Sequence, residues 1–381
     1  MRNFSSITAI FLAAALLLTA CNPGFTPTAA PAPKNTVAPV QPAWQTGWDR
    51  AVRGARDEGN IVIASLVAET ARQSLAENFK AKFGLTAEFV SGRPAEFAPK
   101  ILAERRAGLY LEDMMIGGGE TGLSTLKPAA ALDRLDPVLL LPEVVDGKAW
   151  YSGNLPWFDK DHTVLSFIAS AQPAIIINTT LVKPGEIKSF RDLLDPKWKG
   201  KIILGDPTVG GSGNGIFSAM VEGIMDVNFV RSLAKQEPVI AKDERLLGEW
   251  LARGKYPIAM GIGTETVTEF MRAGAPIDIV TPVEGTYVSA STGVVLLLRN
   301  APHPNAATVV INWLLSKEGG TVFSNAIGGQ SARVDVPTDF LHPSRVRQPG
   351  GKYLMTGDED YIAKKTDNLK LAKEIFADSL K

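Results

Sequence analysis

The chain has 381 residues and balances 40 Lys+Arg against 40 Asp+Glu, for a formal net charge of zero. At roughly 100–200 residues per domain, this length predicts two domains or two lobes around a substantial core. Balanced charge argues against a nucleic-acid binder built on a basic surface; a single Cys excludes an internal disulfide or a Cys metal cluster, and three His (His162, His303, His342) argue against a His-rich metal centre.

The N-terminal 43 residues differ from the rest. Arg2 supplies a positive start, and residues 7–18 form an apolar run with Thr8 as its one polar member. That run is shorter than the about 20 residues a bilayer span needs, but suits a signal-peptide core. Leu18-Thr19-Ala20-Cys21 follows, and small residues before a lone Cys resemble a bacterial lipobox. The resemblance implies a signal peptide over 1–20, cleavage before Cys21 and lipidation there; an ordinary secretory signal with an incidental Cys is the alternative. More than one acyl chain on Cys21 is what stable anchoring takes. The lipidated Cys and a tether occupy 21–43. Residues 22–43 hold six Pro, five Ala and one charge, Lys34, with no apolar period. Such a segment does not fold, and its extended reach is roughly 68 Å at about 3.1 Å per residue.

Apolar spacing predicts a helix over 44–58 (Trp44, Trp48, Ala51, Val52, Ala55) and a buried strand over 61–64. An amphipathic helix follows over 70–83, with Leu75, Phe79 and Phe83 on one face and Gly84 as its stop. A strand over 85–90, a helix over 94–107 opened by Pro94, and a strand over 113–116 continue the alternation. This order signals an α/β fold with a mostly parallel sheet. Ligands in such sheets bind beyond the strands' carboxyl ends, which singles out loops 65–69, 91–93 and 117–122. Further strands are expected at 164–168, 174–177, 201–204, 256–260, 277–280 and 293–298. Helices are expected from 216, over 246–252, through 271 and over 305–316, with a charged terminal helix region in 357–381.

Gly117-Gly118-Gly119-Glu120-Thr121-Gly122 matches G-x-G-x-x-G, but Pro128 cuts short the helix a dinucleotide site needs. The loop reads instead as backbone that permits close approach. Around Ser212 a nucleophile elbow would need G-x-S-x-G, and the frame ends in Asn214. With no suitably placed His, the reading is of a protein that is not an enzyme. Loop 205–215 has a stronger reading, because glycines before a helix leave N–H groups free and the helix terminus favours an anion. Thr208 and Ser212 would add hydroxyls; a plain helix cap is the alternative. Arg93, in Ser91-Gly92-Arg93, is either a carboxylate or phosphate clamp or a solvated surface residue. Trp157, with Phe158 and Tyr151, either lines a cleft or packs at a lobe surface. Tyr287 is a second aromatic near an expected crossing between lobes.

The order of these pieces resembles the extracellular solute-binding proteins of bacterial ABC importers, closest in their ferric-iron, polyamine and thiamine type. The stretches that carry it are Ser91-Gly92-Arg93, Ala103-Glu104-Arg105-Arg106-Ala107-Gly108, Asp113-Met114-Met115-Ile116 and Ala174-Ile175-Ile176-Ile177-Asn178-Thr179. The most specific runs from Ser189-Phe190-Arg191-Asp192-Leu193-Leu194 to Asp195-Pro196-Lys197-Trp198-Lys199-Gly200-Lys201; Ala301-Pro302-His303-Pro304 and Trp313-Leu314-Leu315-Ser316-Lys317-Glu318-Gly319 match a late helix. The resemblance covers about residues 58–335.

It implies the two-lobed type II periplasmic-binding fold, each lobe a mostly parallel sheet flanked by helices, with the ligand cleft between lobes. Lobe one is expected over 44–170 and 284–340, lobe two over 171–283, and a C-terminal tail over 341–381 packs across them. Ser65, Ser91, Gly92, Gly118, Thr208, Ser212 and Thr264 fall on loops that the family uses, with Arg93, Trp157, Glu265 and Tyr287 as further candidates. The implied role is a membrane-tethered monomeric receptor that binds a small anionic or zwitterionic organic solute and delivers it to an ABC permease. No cofactor, resident metal or nucleic acid is expected. A ferric complex or a polyamine is the alternative solute. Iron-binding relatives carry adjacent tyrosines, and this chain has no Tyr–Tyr pair; Glu69, Glu120, Asp206 and Glu265 keep the polyamine open. An exported hydrolase and a sensor subunit are the alternatives of other classes.

Overall fold

The computed structural model describes residues 42–92, 94–290 and 292–377. The signal peptide, Cys21, the tether up to residue 41 and Arg93 lie outside the described residues.

In chain order the strands are β1 (Asn60–Ser65), β2 (Thr86–Ser91), β3 (Met114–Ile116), β4 (Leu132–Asp133), β5 (Val164–Ser166), β6 (Ser170–Ala171) and β7 (Ile175–Asn178). They continue as β8 (Ile202–Gly205), β9 (Val239–Ala241), β10 (Ile258–Met260), β11 (Ile277–Val280), β12 (Thr286–Ser289), β13 (Val294–Leu298) and β14 (Tyr353–Met355). The α-helices are α1 (Ala43–Glu58), α2 (Glu69–Phe83), α3 (Pro94–Arg106), α4 (Gly119–Thr121), α5 (Pro142–Val145) and α6 (Ser212–Ala219). After them come α7 (Val227–Ala234), α8 (Glu244–Ala252), α9 (Thr264–Arg272), α10 (Pro304–Leu315), α11 (Lys317–Ile327) and α12 (Glu359–Ile375). Among the described residues, no helix is long and apolar enough to cross a membrane.

Local sequence explains the clearest elements. In α2, Ala71, Leu75, Phe79 and Phe83 recur every fourth position and form its buried face. Full burial of side chains such as Leu75 and Phe79 contributes about 1.5–3 kcal/mol each. Gly84 then takes the left-handed conformation and its N–H closes on Lys80 O, which ends the helix. The helix α10 is buried on nearly all sides, so its first turn needs an internal partner. The Glu58 carboxylate supplies one, accepting from the Ala306 N–H at 2.7 Å and the Asn305 N–H at 3.2 Å.

Lobe one is built on a six-stranded sheet in the order β2-β1-β3-β13-β4, with β5 also paired to β13. The β1 pairs with β2 and β3 are parallel. β13, arriving late in the chain, inserts antiparallel to β3, β4 and β5. Lobe two is built on a five-stranded sheet in the order β11-β7-β10-β8-β9. Its β8–β9 and β8–β10 pairs are parallel, while β7 runs antiparallel to β10 and β11. In each sheet a strand entering from the other lobe interrupts the parallel run. A three-stranded sheet in the order β14-β12-β6 joins the lobes, with β6 and β12 as the antiparallel crossing strands. β14, from the C-terminal segment, adds to β12 in parallel.

The helix expected from 216 begins four residues earlier, at Ser212. Gly213 and Gly215 are therefore helical rather than loop. The reason is steric: a Cβ on Gly213 would lie 2.3 Å from Gly205 O, and one on Gly205 would lie 2.0 Å from Gly261 O. Gly261, at φ +68°, would bring its own Cβ to 2.8 Å from Gly213 Cα. Three glycines thus put the ends of β8 and β10 and the start of α6 in backbone contact. In lobe one, the 117–122 loop is likewise shorter than expected, because Gly119 already starts α4.

The Gly213→Ala protein is expected to lose about 1–3 kcal/mol of stability through overpacking against backbone that has no free rotor to move. The control is Gly210→Ala, where an added Cβ meets nothing within 4 Å. Thermal melts of the two should separate them, the first lowered and the second unchanged.

Candidate functional site

A cavity of about 440 Å³ lies between the lobes. Lobe one lines it with Gly119, Glu120 and Phe158, and lobe two with Gly210, Gly211, Ser212, Asn214 and Gly215. The crossing segments add Gln172, Tyr287, Ser289 and Ala290; the C-terminal segment adds Thr356, Gly357, Tyr361, Ile362 and Lys365.

The α6 wall follows from the glycine contact. Gly211 precedes α6 and no side chain caps the helix, so its first-turn N–H groups start at the cavity. Asn214 is held by its Nδ2 donating to Pro207 O at 2.9 Å. Tyr287 comes from β12 and its hydroxyl crosses α6, where a Cβ on Gly215 would stand 2.9 Å from it. Gln172 is fixed by lobe two and by a crossing strand: its Oε1 accepts from Thr264 Oγ1 on α9 at 2.9 Å and its backbone O from Thr286 Oγ1 on β12 at 2.8 Å.

Both phenols stay protonated at neutral pH. Burial pushes the Tyr287 hydroxyl well above its ordinary value, with Tyr361 and Glu244 nearby adding to the effect. Burial also pushes Tyr361 up to about 12, partly offset by its hydrogen bond with Ser218. Each can therefore donate a hydrogen bond into the cavity. The charged side chains on the wall are Glu120 and Lys365, and they pair: Lys365 Nζ lies 2.7 and 2.6 Å from the two Glu120 carboxylate oxygens.

The sequence candidates separate by place. Ser212 and Tyr287 are on the cavity wall, and Thr264 stands behind it through Gln172. Gly118 is next to the wall at φ +69°, where an added Cβ would strike Met115. Thr208 turns inward, its Oγ1 donating to Asp206 Oδ1 at 2.7 Å. Ser65 is buried and accepts from the Val67 N–H. Ser91 and Gly92 are exposed at the end of β2, and Glu265 is exposed on α9. Trp157 stacks on His162 with ring centroids 4.4 Å apart, and its neighbour Phe158 faces the cavity, as alternation in an extended segment requires. The wall residues that sequence reasoning missed are chiefly Gln172, Tyr361 and Lys365. Gln172 sits in a short hinge strand's exit, and the other two belong to a helix that looks like an ordinary charged surface helix.

The C-terminal wall is anchored on lobe one by a buried carboxylate. Asp159 accepts from Thr163 N, Thr163 Oγ1 and Val164 N, and meets Lys127 Nζ at 3.0 Å. Lys127 also reaches Glu359, the first residue of α12, at 2.8 Å. Although burial alone would raise it, the bonds from Thr163, Lys127 and Val164 hold Asp159 below the usual carboxylate range.

A family model described as bacterial extracellular solute-binding protein matches residues 74–342. The chain belongs to that family. It is 26% identical over 276 residues to an uncharacterized protein of Haemophilus influenzae, covering 70% of this chain and 75% of that one. Among solved structures it is similar to Trichodesmium IdiA (FutA) in complex with iron and citrate ligands, at TM-score 0.64 and 18% identity, covering 83% of this chain and 99% of that one. It is also similar to the periplasmic binding protein AfuA of Actinobacillus pleuropneumoniae with fructose-6-phosphate bound, at TM-score 0.57 and 19% identity, covering 84% and 98%. The fold is the two-lobed one of periplasmic binding proteins. The chain is an extracytoplasmic solute receptor of the kind that delivers a small molecule to an ABC permease.

Because the Asp159 pKa is depressed, its contribution to stability is present above its unfolded value and is lost as pH falls through the lower folded value. Asp159→Asn is expected to lower the melting temperature at pH 7 and to flatten its fall between pH 5 and pH 3, roughly the carboxylate range. Melting curves over that range check it.

Proposed function

We propose that the inter-lobe cavity holds a small organic anion bearing several hydrogen-bonding groups, and that the receptor works as a monomer anchored through a lipid on Cys21. The observation that carries the solute class is the α6 N-terminus, opening without a side-chain cap into a cavity that also offers Lys365 and two protonated phenols. A helix terminus adds about 0.3–1 kcal/mol toward an anion. Each hydroxyl bonded to a charged group adds about 1.5–3 kcal/mol. The ligands named for the two structural neighbours, citrate with iron and fructose-6-phosphate, have this chemistry. The proposed lobes are 44–170 with 284–340, and 171–283; the two sheets divide along those lines. Capture would close the lobes about β6 and β12, as a hinge driven by contacts from both sides.

A second reading, a ferric complex, draws on Tyr287 and Tyr361 meeting in one cavity. It is less favoured because Glu120, the one carboxylate among the described wall residues, is paired with Lys365. Among the described residues, no group of three or more His, Cys, Asp and Glu is placed to hold a metal ion.

Native mass spectrometry of the freshly purified body tests the choice. A retained organic anion is expected; retained iron without one, or a polyamine, would refute the proposal. The Ser212→Ala, Tyr287→Phe double variant should bind the retained solute roughly ten- to a hundredfold more weakly in calorimetry, with its melting temperature little changed.

A further inference from the structure

The pair Glu120–Lys365 has a geometry that a structural brace does not need. Glu120 sits on α4 in lobe one. Lys365 sits on α12, which is fastened to lobe two: Phe376, just past it, is wholly buried in the lobe-two core, Glu374 pairs with Arg231 at 2.8 Å, and Lys364 pairs with Glu222. The pair therefore spans the lobes along the cavity wall. Its side chains keep 51% and 35% exposure, respectively, so water reaches both. An exposed ion pair of this kind adds little to stability. Moreover, α12 is already held to lobe one by Lys127–Glu359 and by Ile362 against the lobe-one core. A brace here would be redundant.

The electrostatics of the wall suggest another use. The α6 N-terminus and Lys365 both favour an anion in the cavity, and Glu120 is the wall group that opposes one. Glu120 also satisfies Lys365 with both oxygens, as a bound carboxylate or phosphate would. Resting on the anionic-solute reading above, we propose that Glu120 is a place-holder. Its carboxylate occupies Lys365 in the empty receptor and is displaced when the solute's anionic group takes the same ammonium. Half-exposed, Glu120 can turn into water at small cost, so the exchange is nearly balanced. A neutral solute offers no replacement partner and leaves the pair closed. Lys365 thereby sets specificity for charge, and the C-terminal helix is part of the binding site.

Calorimetric titration and thermal shift with inorganic phosphate, citrate, fructose 6-phosphate and neutral fructose test this on the wild-type chain, Glu120→Gln and Lys365→Gln. The anion that binds the wild type best should bind Glu120→Gln roughly two- to fivefold tighter. It should bind Lys365→Gln roughly tenfold weaker or more. Fructose should not distinguish the three proteins. If both variants weaken the anion alike, with matching losses of melting temperature, the pair is a brace and the proposal falls. If the anion binds all three equally, the proposal falls while the anionic-solute reading stands. If no anion binds the wild type, both fall.

Discussion

The receptor's cleft depends on a contact between three residues without side chains. Gly205 ends β8, Gly261 follows β10 and Gly213 is the second residue of α6, and each approaches the others closer than any Cβ would allow. With side chains there, α6 would be levered away from the strand ends. Its N–H groups would then open over solvent or protein rather than over the cavity. The field of a helix terminus falls off within the first turn, so a displacement of a few ångströms would matter. Tyr287 relies on the same geometry, because its hydroxyl passes where a side chain on Gly215 would stand. A backbone contact in the lobe-two core therefore sets both the dipole and a phenol donor on the cavity wall.

The other wall depends on long-range pairing rather than close packing. The C-terminal segment joins β12 as a third strand through β14, runs over Phe158 at Gly357 and then becomes α12. Its attachments fall on both lobes: Lys127 and Lys160 N to Glu359 on one side, Arg231 to Glu374 and the buried Phe376 on the other. Most of these charges are exposed and individually weak. Phe376 and the Asp159 cluster, which are buried, carry the attachment. The wall they hold brings Tyr361 and Lys365 to the cavity beside α6, where Tyr361 bonds to Ser218.

How much of this could be read from the chain follows the range of the interactions. α1, α2 and α10 show local periods, and their boundaries in the sequence agree with the structure to within a residue or two. The strands β7 and β8 are short apolar runs beside Gly and Pro and were equally plain. α11 carries no clear helical signal of its own, because its glycines at 319 and 320 weaken helix propensity; Gly319 is required by its close packing against Trp313 and Leu314, while Gly320 faces Val336, Ser331 and Arg333. β6, β12 and β14 were missed because each gains its hydrogen bonds from partners far away in the chain. The site shows the same division. Ser212 stood out because it precedes a helix in a glycine-rich loop. Lys365 had no local signal, since its partner Glu120 is 245 residues away.

The zero net charge of the whole chain is repeated, at smaller scale, in the cleft. Its wall carries one acid and one base, and they neutralise each other. A site arranged this way gains little from long-range attraction, which salt would screen over about 8–10 Å. Its selectivity must come from short-range groups: the Lys365 ammonium once Glu120 gives it up, uncapped N–H groups, protonated phenols and a fixed amide at Gln172. Such donors reward a solute that satisfies them all and penalise one that leaves any buried and unmatched. Discrimination then scales with the number of matched hydrogen bonds rather than with charge alone. That favours a compact, multiply functional solute over a simple ion of the same sign.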